Sequence, residues 1–203
     1  MIHACDFDTV LPAYVISRLF HIPLVYDIFD FYADNIRSIS PAVARIVAML
    51  DRWVIERVDG VILADENRLE QLKPAVPKRQ VVIYNTPPDR YAPDTDALAN
   101  KFTLAYTGQL LINRGMLELV ALIGRHPKWQ LNLAGFGGDA EQIMDAAKTF
   151  ENISLSGAVP YEEALQLMRE AQVIYALYDP SLPNHRYASP NKLFEAMMLA
   201  KPI

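Results

Sequence analysis

One feature limits the possible folds more than any other: short, continuously apolar, β-branched runs alternate with stretches of helical periodicity. The runs are 22–28 (IPLVYDI), 60–64 (GVILA), 80–84 (QVVIY), 102–107 (FTLAYT), 130–134 (QLNLA), 153–156 (ISLS) and 173–178 (VIYALY), and each reads as a strand. Between them, residues 41–58 place Val43, Ile46, Val47, Leu50, Val54 and Val58 on one helical stripe. Residues 161–171 follow Pro160 and carry Glu162 and Glu163 in their first turn, where a helix favours acids. Residues 190–200 open on Pro190 and present Leu193, Phe194, Met197 and Met198 as an apolar face. Apolar strands separated by helices predict an α/β fold with parallel sheets covered on both faces.

Residues 86–100 (TPPDRYAPDTDALAN) break this rhythm with Pro and Asp. They predict a first half at 1–87, a linker at 88–100 and a second half at 101–203. Both halves are expected to be incomplete. The first opens directly on a strand end (MIHACDFDT), and Lys201-Pro202-Ile203 reads as the start of a further strand. A parallel sheet left that way has open edges, so the chain is expected to be a fragment or to pair with something, a second copy included.

Composition narrows the function classes. A net charge of −5 argues against general nucleic-acid binding, which needs a basic face. Cys5 is the single cysteine, so no disulfide framework exists, and a reducing, cytoplasmic compartment follows as the simple reading. No stretch approaches the roughly 18 apolar residues of a membrane span, and the first residues do not read as a signal peptide. Of the eight glycines, seven lie between Gly108 and Gly157.

Those glycines mark the chemistry. Ligands of open α/β sheets bind at the carboxyl ends of strands, where helix N-termini attract anions. Three loops fit. In Tyr106-Thr107-Gly108…Arg114-Gly115, the glycines let the backbone turn and Arg114 stands at a helix start, as a phosphate clamp would. In Ala134-Gly135-Phe136-Gly137-Gly138-Asp139, backbone N–H groups are left open to a phosphate. In Ser189-Pro190-Asn191-Lys192…Glu195, a helix start carries Asn191 and Lys192 in its first turn, with Glu195 one turn on among apolar neighbours. An ordinary turn with a solvated Arg, a bland glycine turn and a capping role for the acid account for the same residues.

In this order and spacing, the loops resemble the donor domain of the group 1 (family 4-like) glycosyltransferases. These enzymes have the GT-B architecture of two Rossmann-like domains. Tyr106-Thr107-Gly108…Arg114-Gly115 is similar to the family's Y-x-G…K-G loop. Leu133-Ala134-Gly135-Phe136-Gly137 is similar to its I-x-G-x-G strand end. Ser156-Gly157-Ala158-Val159-Pro160 resembles the loop near the nucleobase, and Phe194-Glu195-Ala196-Met197…Lys201-Pro202-Ile203 resembles E-A-M-x-x-G-x-P-V. Val81-Val82-Ile83-Tyr84-Asn85 resembles the strand before the interdomain linker. His3-Ala4-Cys5-Asp6 and Val25-Tyr26-Asp27 resemble the acceptor side of the N-terminal domain.

The resemblance implies transfer of a hexose from a nucleoside diphosphate sugar to a glycan or lipid-linked acceptor hydroxyl. Retention of configuration, no metal and no cofactor are implied with it, as is a role in polysaccharide biosynthesis, in the cytoplasm or at the inner face of the membrane. It implies a donor site of Gly108, Arg114, Gly135, Gly137, Val159, Ser189, Asn191, Lys192 and Glu195. Arg114 and Lys192 would hold the diphosphate, Glu195 the ribose hydroxyls, and the Val159 backbone the base. Two partial GT-B domains would then make up the chain, an acceptor-side piece at 1–87 and most of a donor domain at 101–203. Alternatives are an inactive nucleotide-binding fragment, or a related GT-B epimerase or phosphorylase.

The sequence departs from the family pattern at three places. Tyr187 stands where the first of two glutamates is usual, and Gln109 stands where an Arg often follows the glycine. Phe29 takes a position often held by His, leaving Asp27 and Asp30 as the nearby proton acceptors. They also read as strand-end turn residues. His3, Cys5 and Asp6 alternate sides of a strand and lack metal-ligand spacing. Arg45, Arg52 and Arg57 line helix 41–58, but Asp51 and Glu56 dilute their charge, so a packed core helix is expected there rather than a membrane surface.

Overall fold

The computed structural model describes residues 1–35, 40–89 and 101–203. The linker expected at 88–100 therefore lies outside the described residues from position 90 onward. The chain divides into two compact units: Met1–Asn85 with Pro180–Ser189, and Thr86–Asp179 with Pro190–Ile203.

The first unit holds β1 (Ile2–Cys5), α1 (Asp6–Phe20), β2 (Leu24–Ile28), α2 (Tyr32–Asn35), α3 (Pro41–Ile55), β3 (Gly60–Leu63), α4 (Arg68–Leu72) and β4 (Gln80–Val82). Its strands form one parallel sheet in the order β1-β2-β3-β4. Ala4, Leu24, Tyr26, Ile28, Val61 and Leu63 alternate onto one face and bury against Phe7 and Val10 of α1 and Val54 and Ile55 of α3. Burying each large side chain of this set contributes about 1.5–3 kcal/mol. The opposite face carries His3 and Cys5, both exposed, and the half-buried Val25 and Asp27. Among the described residues this sheet is therefore buried on one face, which corrects the expectation of two covered faces.

Helix α1 lies outside the sequence expectation. Its apolar residues make no clean stripe and Pro12 sits inside it, yet it packs on β1 and β2 through Phe7 and Val10. Helix α3 starts as the sequence indicates, with the Ser40 hydroxyl accepting from the Val43 N–H at 3.4 Å and Pro41 in the first turn. Its expected core stripe divides. Val54 is fully buried, but Val43, Ile46 and Leu50 are exposed, together with Met49 and Trp53. Asp51, read as a surface charge, is wholly buried and accepts a hydrogen bond from the Tyr26 hydroxyl at 2.9 Å. Arg52 turns inward as well, lying 5.0 Å from the Phe31 ring centre.

The second unit holds β5 (Phe102–Gln109), a 3-10 turn (Ile112–Arg114), α5 (Met116–Gly124), β6 (Trp129–Phe136), α6 (Ala140–Ala147), β7 (Ile153–Gly157), α7 (Tyr161–Glu170), β8 (Val173–Ile174) and α9 (Asn191–Met198). The short helix α8 (Pro183–Arg186) packs with the first unit. The second sheet is parallel in the order β7-β6-β5-β8. Here both faces are covered. Tyr106, Leu131 and Leu133 pack on α5 and α6, while Ala105 and Ile174 pack on α7 and α9.

The run 173–178 was expected to be a strand throughout but pairs only over Val173–Ile174. Tyr175 turns so that its hydroxyl donates to the Arg114 carbonyl at 3.0 Å. No strand forms at 201–203, although the Ile174 N–H bonds the Pro202 carbonyl at 2.9 Å.

Candidate functional site

The second unit gathers most of the loops singled out in the sequence at the carboxyl ends of β5 and β6. Strands β5 and β6 pair in register, so Gly108 lies beside Gly135. A methyl group on Gly135 would stand 2.0 Å from the Gly108 carbonyl oxygen, so only glycine fits there. Gly108 has a φ of +126°, and a methyl group on it would come within 2.8 Å of the Lys192 Nζ. The lysine ammonium thus reaches from the first turn of α9 to the glycine loop. Gly137 follows β6 beside Leu110, whose N–H bonds the Phe136 carbonyl at 2.7 Å. Asp139 ties the same loops together by accepting from the Ile112 N–H at 2.9 Å.

Lys192 is buried, and its Nζ lies 4.7 Å from the Tyr106 ring centre. Burial pushes its pKa down to about 8, and the positive charge of Arg114 adds to that push, while Glu195 opposes it. Arg114 is held over the Tyr178 ring at 4.8 Å, with its guanidinium donating to the Tyr178 hydroxyl at 3.3 Å. The Arg114 Nε and both polar side-chain atoms of Asn113 are buried without a hydrogen-bond partner. Orphaned polar atoms of this kind are uncommon in folded proteins. Glu195 is buried beside Lys192; burial raises its pKa, and the lysine together with a hydrogen bond from Tyr161 lowers it in part. Tyr161 opens α7 immediately after the Val159-Pro160 loop, so its contact with Glu195 links Val159's loop to α9.

The structure therefore brings together Gly108, Arg114, Gly135, Gly137, Lys192 and Glu195, with the Val159 loop joined through Tyr161. Asn191 is exposed at the first position of α9. Ser189 belongs to the segment that packs with the first unit, and its hydroxyl is buried without a partner. Asn113, Tyr161 and Tyr178 were given no role in the sequence reading, because aromatic and amide residues inside a loop or helix start carry no motif of their own. Tyr106 was read only as part of its glycine loop, and its place under Lys192 came with the fold.

The two predicted proton acceptors lie in the first unit, near the end of β2. Asp27 Oδ2 accepts from the His3 Nε2–H at 3.0 Å. Asp30 forms an ion pair of 2.7 Å with Arg68, a nearly buried arginine at the start of α4. The Arg68 guanidinium also donates to Gln71 at 3.0 Å and to Asn184 at 3.5 Å, and Gln71 in turn donates to Asp34 at 2.7 Å. Asp6, with a φ of +60°, accepts from the Phe29 N–H at 3.2 Å and so fixes the turn that carries Asp30. Arg68 was not legible in the sequence, since it acts across elements distant in the chain. Asp6 was read there only as part of His3-Ala4-Cys5-Asp6, without its bond to the Phe29 turn.

Two Rossmann-like units, each a parallel sheet with flanking helices, are the fold of the GT-B glycosyltransferases. Solved structures with this fold include HepE of Anabaena in complex with UDP and glucose, at 16% identity and a TM-score of 0.65, matching 95% of this chain and 55% of that one. They include a TarM variant of S. aureus in complex with Fondaparinux, alpha-GlcNAc-glycerol and UDP, at 14% identity and a TM-score of 0.64, matching 89% of this chain and 36% of that one. The pneumococcal O-GlcNAc transferase GtfA, in complex with UDP and GlcNAc, matches 94% of this chain and 38% of its own, at 15% identity and a TM-score of 0.60. The chain thus spans between about a third and just over half the length of these structures. No protein-family model and no curated protein matches the sequence. Among the described residues, no helix is long and apolar enough to cross a membrane.

Proposed function

We propose that the chain is part of a glycosyltransferase that moves a hexose from a nucleoside diphosphate sugar to an acceptor hydroxyl. The observation that carries this reading is the buried Lys192 with the half-buried Arg114 beside it at the glycine loops. Lys192 and Arg114 repel one another in a poorly solvated place, with Glu195 as the nearby counter-charge. A bound diphosphate would relieve that repulsion and supply acceptors for the unpartnered Arg114 Nε and Asn113 amide.

The chemistry follows from the charges. As the bond from sugar to diphosphate breaks, negative charge grows on the leaving oxygen. Fixed cations and the backbone N–H groups near Gly108, Gly135 and Gly137 lower the energy of that charge without a metal. Glu195 accepts from the ribose hydroxyls and the Val159 backbone contacts the base. By the resemblance, Tyr187, Ser189 or Asn191 takes the place of the family's first glutamate toward the donor sugar. On the acceptor side, Asp30 and Asp27 are the proton acceptors, with Arg68 positioning Asp30. Retention of configuration, a place in polysaccharide biosynthesis and a cytoplasmic setting complete the proposal. The exposed Val43, Ile46, Met49 and Trp53 of α3, beside Arg45, offer a surface for peripheral contact with a membrane that carries a lipid-linked acceptor. The open edges of the sheets offer a route to self-association.

Thermal unfolding with UDP, GDP and uridine tests the donor assignment. The two diphosphates are expected to raise Tm and uridine to leave it in place, because the site is built for the diphosphate. An unchanged Tm with both diphosphates at millimolar concentration would contradict the proposal.

A further inference from the structure

Outside the donor site, three metal-ligating side chains of different chemistry meet on the open face of the first sheet. Against the expectation that His3, Cys5 and Asp6 alternate sides, His3 and Cys5 stand two residues apart on β1 and share a face, while Asp6 begins α1. Parallel pairing sets Cys5 opposite Asp27 of β2, and His3 opposite Val25, which brings the Asp27 carboxylate onto that same face. The imidazole, thiol and carboxylate donor atoms all lie within 4.8 Å of one another, and His3 Nε2 already sits 3.0 Å from Asp27 Oδ2. His3 and Cys5 are exposed, so an ion can enter without the core opening.

We propose that His3, Cys5 and Asp27 form a binding site for a borderline divalent transition metal of the Zn²⁺ type. Bond lengths of about 2.0–2.3 Å put the donors of a tetrahedral zinc centre roughly 3.3–3.7 Å apart. Small rotations of the exposed His3 and Cys5 side chains close the remaining distance. The ion takes the place of the thiol proton, while the imidazole binds through Nε2 and keeps its own proton on Nδ1, so binding releases the thiol proton. One nitrogen, one sulfur and one oxygen suit Zn²⁺ or Co²⁺ and not Mg²⁺ or Ca²⁺, which prefer all-oxygen cages. Three protein ligands leave the fourth position open to water. This site stands independently of the donor assignment. Its occupation draws Asp27 away from acceptor chemistry, so metal would act there as a brake on any transfer that uses Asp27.

Co²⁺ titration of the full chain, kept reduced and metal-free beforehand, tests the proposal by absorption spectroscopy. The expected result is one equivalent bound, a thiolate-to-cobalt charge-transfer band, visible bands of tetrahedral intensity, and displacement by Zn²⁺. Cys5→Ser should abolish the charge-transfer band. His3→Gln and Asp27→Asn should each weaken binding by roughly tenfold or more, with the circular dichroism spectrum unchanged. Absence of the band in the unaltered chain would overturn the site. So would a band that His3→Gln and Asp27→Asn leave at full affinity, since that metal would be held by the thiolate alone.

Discussion

Lys192 concentrates the argument at the residue scale, because its environment sets both its charge and its use. With a pKa lowered to about 8, it is protonated at neutral pH and loses its charge as pH rises through that value. Affinity for UDP should therefore fall above about pH 8, and binding near that pH should take up protons, which calorimetry in buffers of different ionisation enthalpy measures. Arg114→Ala removes the like charge beside it, so the midpoint should move upward whatever happens to affinity. A pH profile indifferent to Arg114 would separate the two cations.

Gly108→Ala tests the neighbouring loop. Its positive φ costs an alanine about 1–2 kcal/mol of stability. Its methyl would displace the Lys192 ammonium, so UDP affinity should fall about tenfold, equivalent to 1.4 kcal/mol. Chemical denaturation and calorimetry on the same variant report the two effects separately. Asp51 gives a second pH effect with the opposite logic. Burial raises its pKa to about 6, against a weaker lowering by the Tyr26 hydrogen bond. The folded chain then favours the neutral acid while the unfolded chain ionises near pH 4. Stability should fall between about pH 4 and 6 by up to about 3 kcal/mol. Asp51→Asn should flatten that slope in denaturant titrations run across the range.

At the element scale, α3 shows how far periodicity reads and where it stops. Its presence, its start at residue 41 and its buried end were legible over 41–58, because a helical stripe is a local signal, although the helix stops at Ile55. The exposure of Val43, Ile46 and Leu50 was not, because a stripe shows that a helix has an apolar face and not what covers each turn of it. Ile55→Ala should therefore cost about 2–5 kcal/mol in chemical denaturation. Ile46→Ala should stay within about 0.5 kcal/mol. Equal costs would mean that the two ends of the helix are equally packed. The strands were legible for a related reason. Runs such as Gly60–Leu63 (GVIL) are apolar on both faces and have few other structures to adopt. Helix α1 was not legible, because its residues are recruited by the sheet and its own pattern is weak. The contact of Asp27 with His3 and Cys5 is likewise a product of strand register, which no single segment encodes.

At the scale of the whole molecule, the chain offers two parallel sheets in two units and spans a part of the solved structures whose fold it shares. Its second unit has both faces of the sheet covered and its strand ends furnished with glycines, two cations and a buried acid. The glycine loops and cations of that unit stood out in the sequence as local motifs. The aromatic supports beneath them, Tyr106 under Lys192 and Tyr178 under Arg114, came only with the fold. The central claim is that this unit holds a nucleoside diphosphate through Lys192 and Arg114. Isothermal titration calorimetry of the full chain with UDP and GDP, repeated on Lys192→Ala, addresses it most directly. The account predicts saturable heat with at least one diphosphate, and a loss of roughly 1.5–3 kcal/mol of binding free energy in the variant. Absence of heat with both nucleotides, or equal affinity in the variant, would contradict it.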